Sequence, residues 1–335
     1  MLKDFLIETP ELDGKTILVT GGTGSFGYQF IQTILSRYTP QKLVIFSRDE
    51  LKQYEMAQKF PESKYPFLRY FIGDVRDYSR VEMALRGIDI VIHAAALKHV
   101  PIAEYNPYEC IHTNVIGAEN IVRAALRNGV QRVLALSTDK AVSPINLYGA
   151  SKLAAEKIFV AANNIRGSDP TLFSVVRYGN VIGSRGSVVP FFKKLIDEGA
   201  NSLPITDAEM TRFWITLSQG VDFVLSNLAL MYGGEIFIPK IPSMKMLDMV
   251  ESLKPGIKTH IIGIRPGEKL HECMLTADES LQTIETEDRY IVLPALTKAW
   301  NNSIPHQKLK GRMMYSSDTN NEWLDPVRLE QMICA

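Results

Sequence analysis

A chain of 335 residues, 46% hydrophobic and 22% charged, has material for one large globular domain or two smaller ones with a sizeable core. Its 37 Lys plus Arg balance its 37 Asp plus Glu, which excludes any overall field favouring nucleic acid or an anionic membrane. An anionic ligand must therefore be met by local groups.

Short apolar, β-branched runs alternate with amphipathic stretches through the first half. "TILVTGG" (16–22) predicts a first strand, and "TGGTGSFG" (20–27) follows it and opens a helix, "FGYQFIQTILSRY". In that context Gly21, Gly24 and Gly27 permit a tight turn, close approach of backbone to a pyrophosphate, and packing of the helix on the sheet; Thr23, Ser25 and Phe26 complete the cofactor-facing loop. "KLVIFS" (42–47) predicts the second strand, at whose tip the adenosine ribose is usually read. Ser47 and Arg48 offer donors there and Lys52 lies one turn on, which suits the 2′-phosphate of NADP; Asp49 could instead bind the free ribose of NAD, and Glu50 and Leu51 share the tip.

"RYFIGDV" (69–75) ends the third strand in Asp74 and Val75, placed for the adenine edge, although an Asp there could equally cap the next turn. After the helical "EMALRG", "DIVIHAA" (89–95) predicts the fourth strand. It runs into "HAAALKHVP", where Ala94 leaves room for the nicotinamide side and Lys98 can reach cofactor or substrate. A long helical pattern spans 106–129, followed by the strand "RVLALST" (132–138), the helix "YGASKLAAEKIFVAANN" (148–164) and the strand "LFSVVRY" (172–178). This βαβα order implies an α/β fold, a Rossmann-type doubly wound parallel sheet, with a smaller mixed α/β substrate-binding lobe. The expected division is 1–178, joined by a returning helix at about 213–233, as the NADP-binding domain, and 179–212 with 234–335 as the lobe. Glycines and a proline break the rhythm soon after Arg177, and "PKIPSMKM" (239–246) is expected in the less regular region.

Tyr148 and Lys152 lie four apart at a helix start, hence on one face. Lys152 can hold the nicotinamide ribose while its charge lowers the Tyr148 pKa from about 10, so that the phenolate takes a hydroxyl proton as hydride leaves carbon. Thr138 can hydrogen-bond the same hydroxyl. Asp139 and Lys140 in "STDKA" form a neighbouring acid and base that hydride transfer alone does not need.

TGxxGxxG, the Asp after the third strand, "TNV" (113–115) and YxxxK, in that order, make the chain similar to the extended short-chain dehydrogenase/reductases. "FSRDELKQ", "HAAALKHVPIAEYNP", "STDKA", "NLYGASK", "RYGNVIGSRGSVVPFF", "MTRFW" and "IGIRPGEKLHE" more closely resemble the inverting UDP-N-acetylglucosamine 4,6-dehydratases, which open pseudaminic acid synthesis for flagellin glycosylation. The resemblance spans about residues 14–323. It implies that oxidation at carbon 4 acidifies the carbon 5 proton, that Lys140 removes that proton, that Asp139 protonates the departing carbon 6 hydroxyl, and that hydride returns to carbon 6 with inversion at carbon 5. Retaining hexose dehydratases typically carry "DE" where this chain has "DK". For Lys140 to act as a base near neutrality its pKa must fall by roughly 3 units from about 10.4, about 4 kcal/mol of bias. Burial under the sugar and the Lys152 cation push that way, and an ionised Asp139 pushes back.

A UDP-sugar asks for guanidinium forks and amides around its diphosphate. The matching segments supply Asn180, Arg185, Ser187, Arg212, Arg265 and Glu268, with Asn321 a further candidate and Lys98 shared with the cofactor. The expected partner is UDP-N-acetylglucosamine, with a hexamer of this chain implied by the resemblance. The alternatives are a 4-epimerase, which has no use for Asp139 and Lys140, a retaining dehydratase, and a non-catalytic NADP sensor, which has no use for Thr138, Tyr148 and Lys152. Cys110, Cys273 and Cys334 are far apart and read as free thiols; the six His lack metal spacing and read as ordinary hydrogen-bonded residues, so no metal is expected. The acidic opening "MLKDFLIETPELDGK" and the lack of any apolar run near about 18 residues lead to an expected cytoplasmic location.

Overall fold

The computed structural model describes residues 3–295 and 304–334. The strands β1 (Thr16–Thr20), β2 (Lys42–Ser47), β3 (Leu68–Ile72), β4 (Ile90–His93), β5 (Arg132–Leu136) and β6 (Leu172–Val176) lie in the order β3-β2-β1-β4-β5-β6, all parallel. Apolar runs such as "TILVT" suit such a sheet because helices cover both its faces, and β1 is buried along its whole length. The connecting helices are α1 (Ser25–Arg37), α2 (Glu50–Lys59), α3 (Tyr78–Ala84), α4 (Val100–Tyr105), α5 (Pro107–Ile111), α6 (Gly117–Asn128) and α7 (Leu147–Ile165). The strand order reverses between β1 and β4, and that switch point opens a crevice at the carboxyl ends of the strands.

The helical pattern at 106–129 is not one helix. Pro107 restarts it after α4, and a wide turn at His112–Ile116 separates α5 from α6. The extra residue turns Asn114 inward, where its amide accepts from Leu97 N (2.8 Å) and donates to Leu97 O (3.0 Å) and Ser151 Oγ (2.9 Å). Asn114 thus ties the loop after β4 to the helix that carries Tyr148, a use of such bulges common at functional sites.

The second half runs β7 (Asn180–Val181), α8 (Val188–Asp197), β8 (Ser202–Ile205), β9 (Thr211–Ile215), α9 (Leu217–Leu230), β10 (Ile236–Pro239), β11 (Ser243–Lys245), α10 (Met246–Leu253), β12 (Lys258–Ile261), β13 (Cys273–Leu275), β14 (Thr283–Glu285), β15 (Arg289–Val292), β16 (Gln307–Lys308), β17 (Tyr315–Ser316) and α11 (Pro326–Cys334). Helix α9, started by a Thr216–Gln219 capping box, packs on α1. The division expected at residue 234 needs correction. Strands β10, β15, β14 and β16 continue the large sheet beyond β6, making ten strands, because the apolar "IFIP" of β10 pairs in parallel with β6. Buried Arg177 fastens this extension, pairing with Glu156 (2.7 Å) and Glu279 (2.7 Å).

What remains of the lobe has its own core of Phe192, Leu203, Trp214, Met244, Met249 and Leu329, with the small sheets β11-β9-β7, β12-β8 and β13-β17 around it. Cys110 and Cys273 are free thiols; the Cys334 side chain lies outside the described residues. Among the described residues no helix is long and apolar enough to cross a membrane.

Candidate active site

The crevice is a cleft of about 710 Å³ running from the glycine loop to Asn180. Gly21 takes φ +65°, and a Cβ there would sit 2.9 Å from Ala95 N, so the turn fits against the end of β4 only without a side chain. At Gly27 a Cβ would meet the Gly22 backbone at 2.5 Å, and this absence lets α1 aim its N-terminus into the cleft. Gly24, Thr23, Ser25 and Phe26 line the same wall, and Thr23 Oγ1 and Ser47 Oγ share a hydrogen bond (2.7 Å) across the loop. Ser25 Oγ accepts from Arg185 N (3.1 Å) and Lys98 Nζ donates to Arg185 O (3.1 Å), so the segment after β7 roofs the glycine loop.

At the tip of β2, Ser47, Arg48, Asp49 and Lys52 line the cleft, whereas Glu50 and Leu51 are exposed on the first turn of α2 away from it. Asp49 is already engaged: its carboxylate caps α2 by accepting from Lys52 N (3.0 Å) and pairs with Lys52 Nζ (2.6 Å). The Lys52 bond holds that carboxyl below its ordinary range. Asp74 lines the cleft and also closes the turn after β3, accepting from Arg76 N (3.0 Å); Arg48 lies 3.6 Å from it. Val75 and Ala94 line the cleft at the ends of β3 and β4. Glycine cradle, helix N-terminus and cationic tip fit a nicotinamide dinucleotide.

The reaction half is built on the turn after β5. Thr138 Oγ1 donates to Asp139 Oδ1 (2.9 Å), and Lys140 Nζ donates to the same oxygen (3.1 Å) and to Asn180 Oδ1 (3.3 Å). Gly149 brings α7 against this turn; a Cβ there would fall 2.1 Å from Lys140 O. Asn146 fixes the helix start, accepting from Gly149 N (2.7 Å) and donating to Gly267 O (2.7 Å). Tyr148 consequently stands beside Thr138 and Lys140, while Lys152 is buried with Nζ donating to Leu136 O (2.6 Å).

Two electrostatic expectations change. Burial pushes the Tyr148 phenol up to about 12, and the leading cation that opposes this is Lys140, helped by a hydrogen bond with Thr138, rather than Lys152. Burial pulls Lys152 itself down to about 8, against the Glu156 carboxylate. Lys140 is not depressed. Burial is the largest influence and lowers its proton affinity, but Asp139 and Glu272 together outweigh it and hold the ammonium above its ordinary range. Glu272, within the "KLHE" of the sequence motif, was not singled out as a site residue; its Oε1 lies 3.2 Å from Lys140 Nζ.

The lobe delivers only some of its candidates. Lys98, Asn180, Arg185 and Ser187 line the cleft, but Arg212, Arg265, Glu268 and Asn321 do not. The Arg212 fork is occupied by the carbonyls of Thr211 (2.7 Å), Leu270 (3.0 Å) and Lys269 (2.8 Å), with Glu268 at 3.6 Å, so it braces the loop before β13. Arg265 and Asn321 are exposed; next to the latter, Asn320 braces β11 by donating to Ser243 Oγ (3.0 Å). Of the histidines, His93 is buried and bonded to Thr20 Oγ1 (2.9 Å), and burial lowers it to about 3.

Residues 17–294 match the polysaccharide biosynthesis protein family. The chain belongs to this family. Within the polysaccharide biosynthesis proteins it is similar to two Campylobacter jejuni proteins named UDP-N-acetylglucosamine 4,6-dehydratase (inverting). One is 58% identical over 95% of this chain and 97% of its own length, the other 55% over 96% and 98%. A UDP-glucose 4-epimerase of Rickettsia massiliae is 42% identical over 82% of each chain. Among solved structures, Pen from Bacillus thuringiensis superposes with a TM-score of 0.89 at 38% identity, covering 97% of this chain and 98% of its own. The dTDP-glucose 4,6-dehydratase DesIV from Streptomyces venezuelae, solved with NAD, shares the fold at a TM-score of 0.66 and 23% identity over 76% and 86%.

Proposed function

We propose that this chain converts UDP-N-acetylglucosamine to UDP-2-acetamido-2,6-dideoxy-β-L-arabino-hex-4-ulose, the opening step of pseudaminic acid synthesis for flagellin glycosylation. The observation that carries the reading is the Thr138–Asp139–Lys140 chain, bonded at 2.9 and 3.1 Å, in one cleft with Tyr148 and a dinucleotide cradle. A 4-epimerase has no use for that pair, and two relatives that match this chain over nearly its full length, at 58% and 55% identity, bear the dehydratase name.

The bound dinucleotide supplies a hydride acceptor and, later, a donor. Tyr148 takes the carbon 4 hydroxyl proton in its phenolate form, which burial disfavours and the Lys140 cation and the Thr138 hydrogen bond favour; Thr138 orients that hydroxyl, and Lys152 holds the cofactor's ribose. The raised proton affinity of Lys140 is met by one shift along its hydrogen bond. Moving the ammonium proton to Asp139 yields a neutral amine, the base for carbon 5, and a carboxylic acid, the donor for the departing carbon 6 hydroxyl. Covering the pair with sugar removes water and favours this neutral form over two buried charges. Elimination then returns Lys140 to the ammonium and Asp139 to the carboxylate, the arrangement seen here. Carbon 6 receives the hydride, and carbon 5 takes a proton of solvent origin on the opposite face.

Lys98, Asn180, Arg185 and Ser187 are the groups in place for the nucleotide sugar. NADP is the preferred cofactor in this reading, supported by Ser47, Arg48 and Lys52 at the tip of β2 and by the prior engagement of Asp49. The site of action is the cytoplasm, where nucleotide sugar is made. The test is incubation of the purified protein with UDP-N-acetylglucosamine: a 4-keto, 6-deoxy product without net cofactor consumption supports the reading, and recovery of only a 4-epimer would replace it.

A further inference from the structure

Glu272 lies at the end of the loop before β13, far along the chain from the turn after β5, yet the fold presses it against Lys140. Its side chain is 2% exposed and Oε1 is 3.2 Å from Lys140 Nζ. Its main chain is held on both sides: Glu272 N donates to Ser317 Oγ (2.9 Å), and Glu272 O accepts from Ser317 N (2.8 Å) and Ser316 Oγ (3.3 Å). Ser317 is in turn bonded to Thr211 Oγ1 (2.7 Å), so the main chain that carries the carboxylate is fastened at the end of β17. The other carboxylate oxygen has no hydrogen-bond partner, its closest cation being Lys269 Nζ at 3.8 Å, while Lys269 donates instead to Val142 O (2.6 Å). A buried carboxylate left half unsatisfied is costly unless something is gained by it.

We infer that Glu272 is a positioning residue for the elimination, fixing the Lys140 ammonium between itself, Asp139 and Asn180 and setting how tightly Lys140 holds its proton. This rests on the proposed base role of Lys140. Nζ donates to Asp139 Oδ1 (3.1 Å) and Asn180 Oδ1 (3.3 Å) and is ion-paired with Glu272 Oε1 at 3.2 Å, so three oxygens from three segments hold the amine at one point beside the cleft. The charged and titratable groups bearing on Lys140 are Asp139, Glu272, Arg212 and Tyr148; those on Glu272 are Lys140 and Lys269. Asp139 cannot set this affinity alone, because in the proposed reaction it gains and loses a proton with Lys140. Glu272 takes no part in that exchange, and its carboxylate oxygen stays 3.2 Å from Nζ where the amine accepts the carbon 5 proton. Each proton is accounted for: Lys140 passes one to Asp139 and regains one from carbon 5.

The variant Glu272→Gln keeps shape and packing and removes the charge; Glu272→Asp keeps the charge and withdraws it from Nζ. Two readouts apply to the full-length protein. The first is competitive labelling of Lys140 by acetic anhydride across pH, quantified by mass spectrometry, which needs no turnover. The second is the pH dependence of kcat for loss of water from UDP-N-acetylglucosamine. The expected result is that the Lys140 labelling midpoint moves down by at least about one pH unit in Glu272→Gln, a tenfold or greater gain in labelling at a fixed pH on the acid side, with Glu272→Asp between it and the parent. The acid limb of kcat moves in the same direction. An unmoved Lys140 midpoint in both variants, whatever happens to rate, overturns the inference. A parent protein that leaves UDP-N-acetylglucosamine intact counts against the proposed function instead, and the labelling shift still decides the role of Glu272. If Glu272→Gln does not fold, Glu272→Asp carries the same test: a midpoint identical to the parent's overturns the inference.

Discussion

Replacing Lys152 by Met should flatten part of the protein's stability profile against pH. In the folded, cofactor-free protein burial brings the Lys152 pKa down to about 8 from 10.5. Below about 8 the folded state must carry a buried ammonium that the unfolded chain carries in water, so the group opposes folding there. Between about 8 and 10.5 the unfolded chain binds the extra proton, and stability rises with pH. A shift of roughly 2.5 units corresponds to about 3 kcal/mol at 1.36 kcal/mol per unit. Met keeps the length and apolar stem but cannot titrate. Urea unfolding of both proteins at several pH values from 7 to 10.5 isolates the contribution, because other groups titrate alike and cancel in the difference. The expected result is a parent-minus-variant stability that climbs by about 3 kcal/mol over that window. At pH 7 the variant also leaves the Leu136 carbonyl without its 2.6 Å donor, a loss of about 1–3 kcal/mol that offsets its gain. A flat difference across the window, or one that falls, would refute the burial argument for Lys152.

Gly149→Ala places a Cβ 2.1 Å from the Lys140 carbonyl, a backbone atom that cannot step aside. Moving α7 off the turn should cost about 1–3 kcal/mol of stability in thermal unfolding and, through displacement of Tyr148 from the sugar, up to about a hundredfold in kcat; near-parental turnover would show that the helix start does not set the Tyr148 position. Arg48→Ala should weaken NADP about tenfold, as expected for one partly exposed charge-assisted bond, and leave NAD unchanged in a fluorescence titration. Equal loss for both cofactors would mean that Arg48 does not face a 2′-phosphate.

Much of the site was legible because its chemistry is local. The glycine loop, the tip of β2 and the turn after β5 are each set within a few residues, and the alternation of apolar runs with helical periods places all three at strand carboxyl ends. What was missed depends on segments brought together from far apart. Glu272 reaches Lys140 only through the pairing of β13 with β17, so the ammonium gains a second carboxylate that no spacing near Lys140 foretells. Arg212 looked like a phosphate fork from its residue type, yet the loop before β13 folds back and supplies its acceptors from backbone. Residues 236–239 fell to the lobe in the sequence because four apolar residues suit a buried strand of either domain, and their parallel partner β6 draws them into the large sheet. The four-residue spacing of Tyr148 and Lys152 does put them on one helix face, but Lys152 points to Leu136 while the nearer influence on the phenol comes from Lys140.

The proposed function turns on Asp139 and Lys140 removing water across carbons 5 and 6 in the cleft where Tyr148 opens the oxidation. Proton NMR of the reaction with UDP-N-acetylglucosamine in deuterated water tests it directly, run on the parent and on Lys140→Ala. The expected result is a 4-keto, 6-deoxy L-arabino product with one deuterium at carbon 5 from the parent, and neither water loss nor deuterium uptake at carbon 5 from the variant. Unchanged turnover and deuterium incorporation in Lys140→Ala would contradict it.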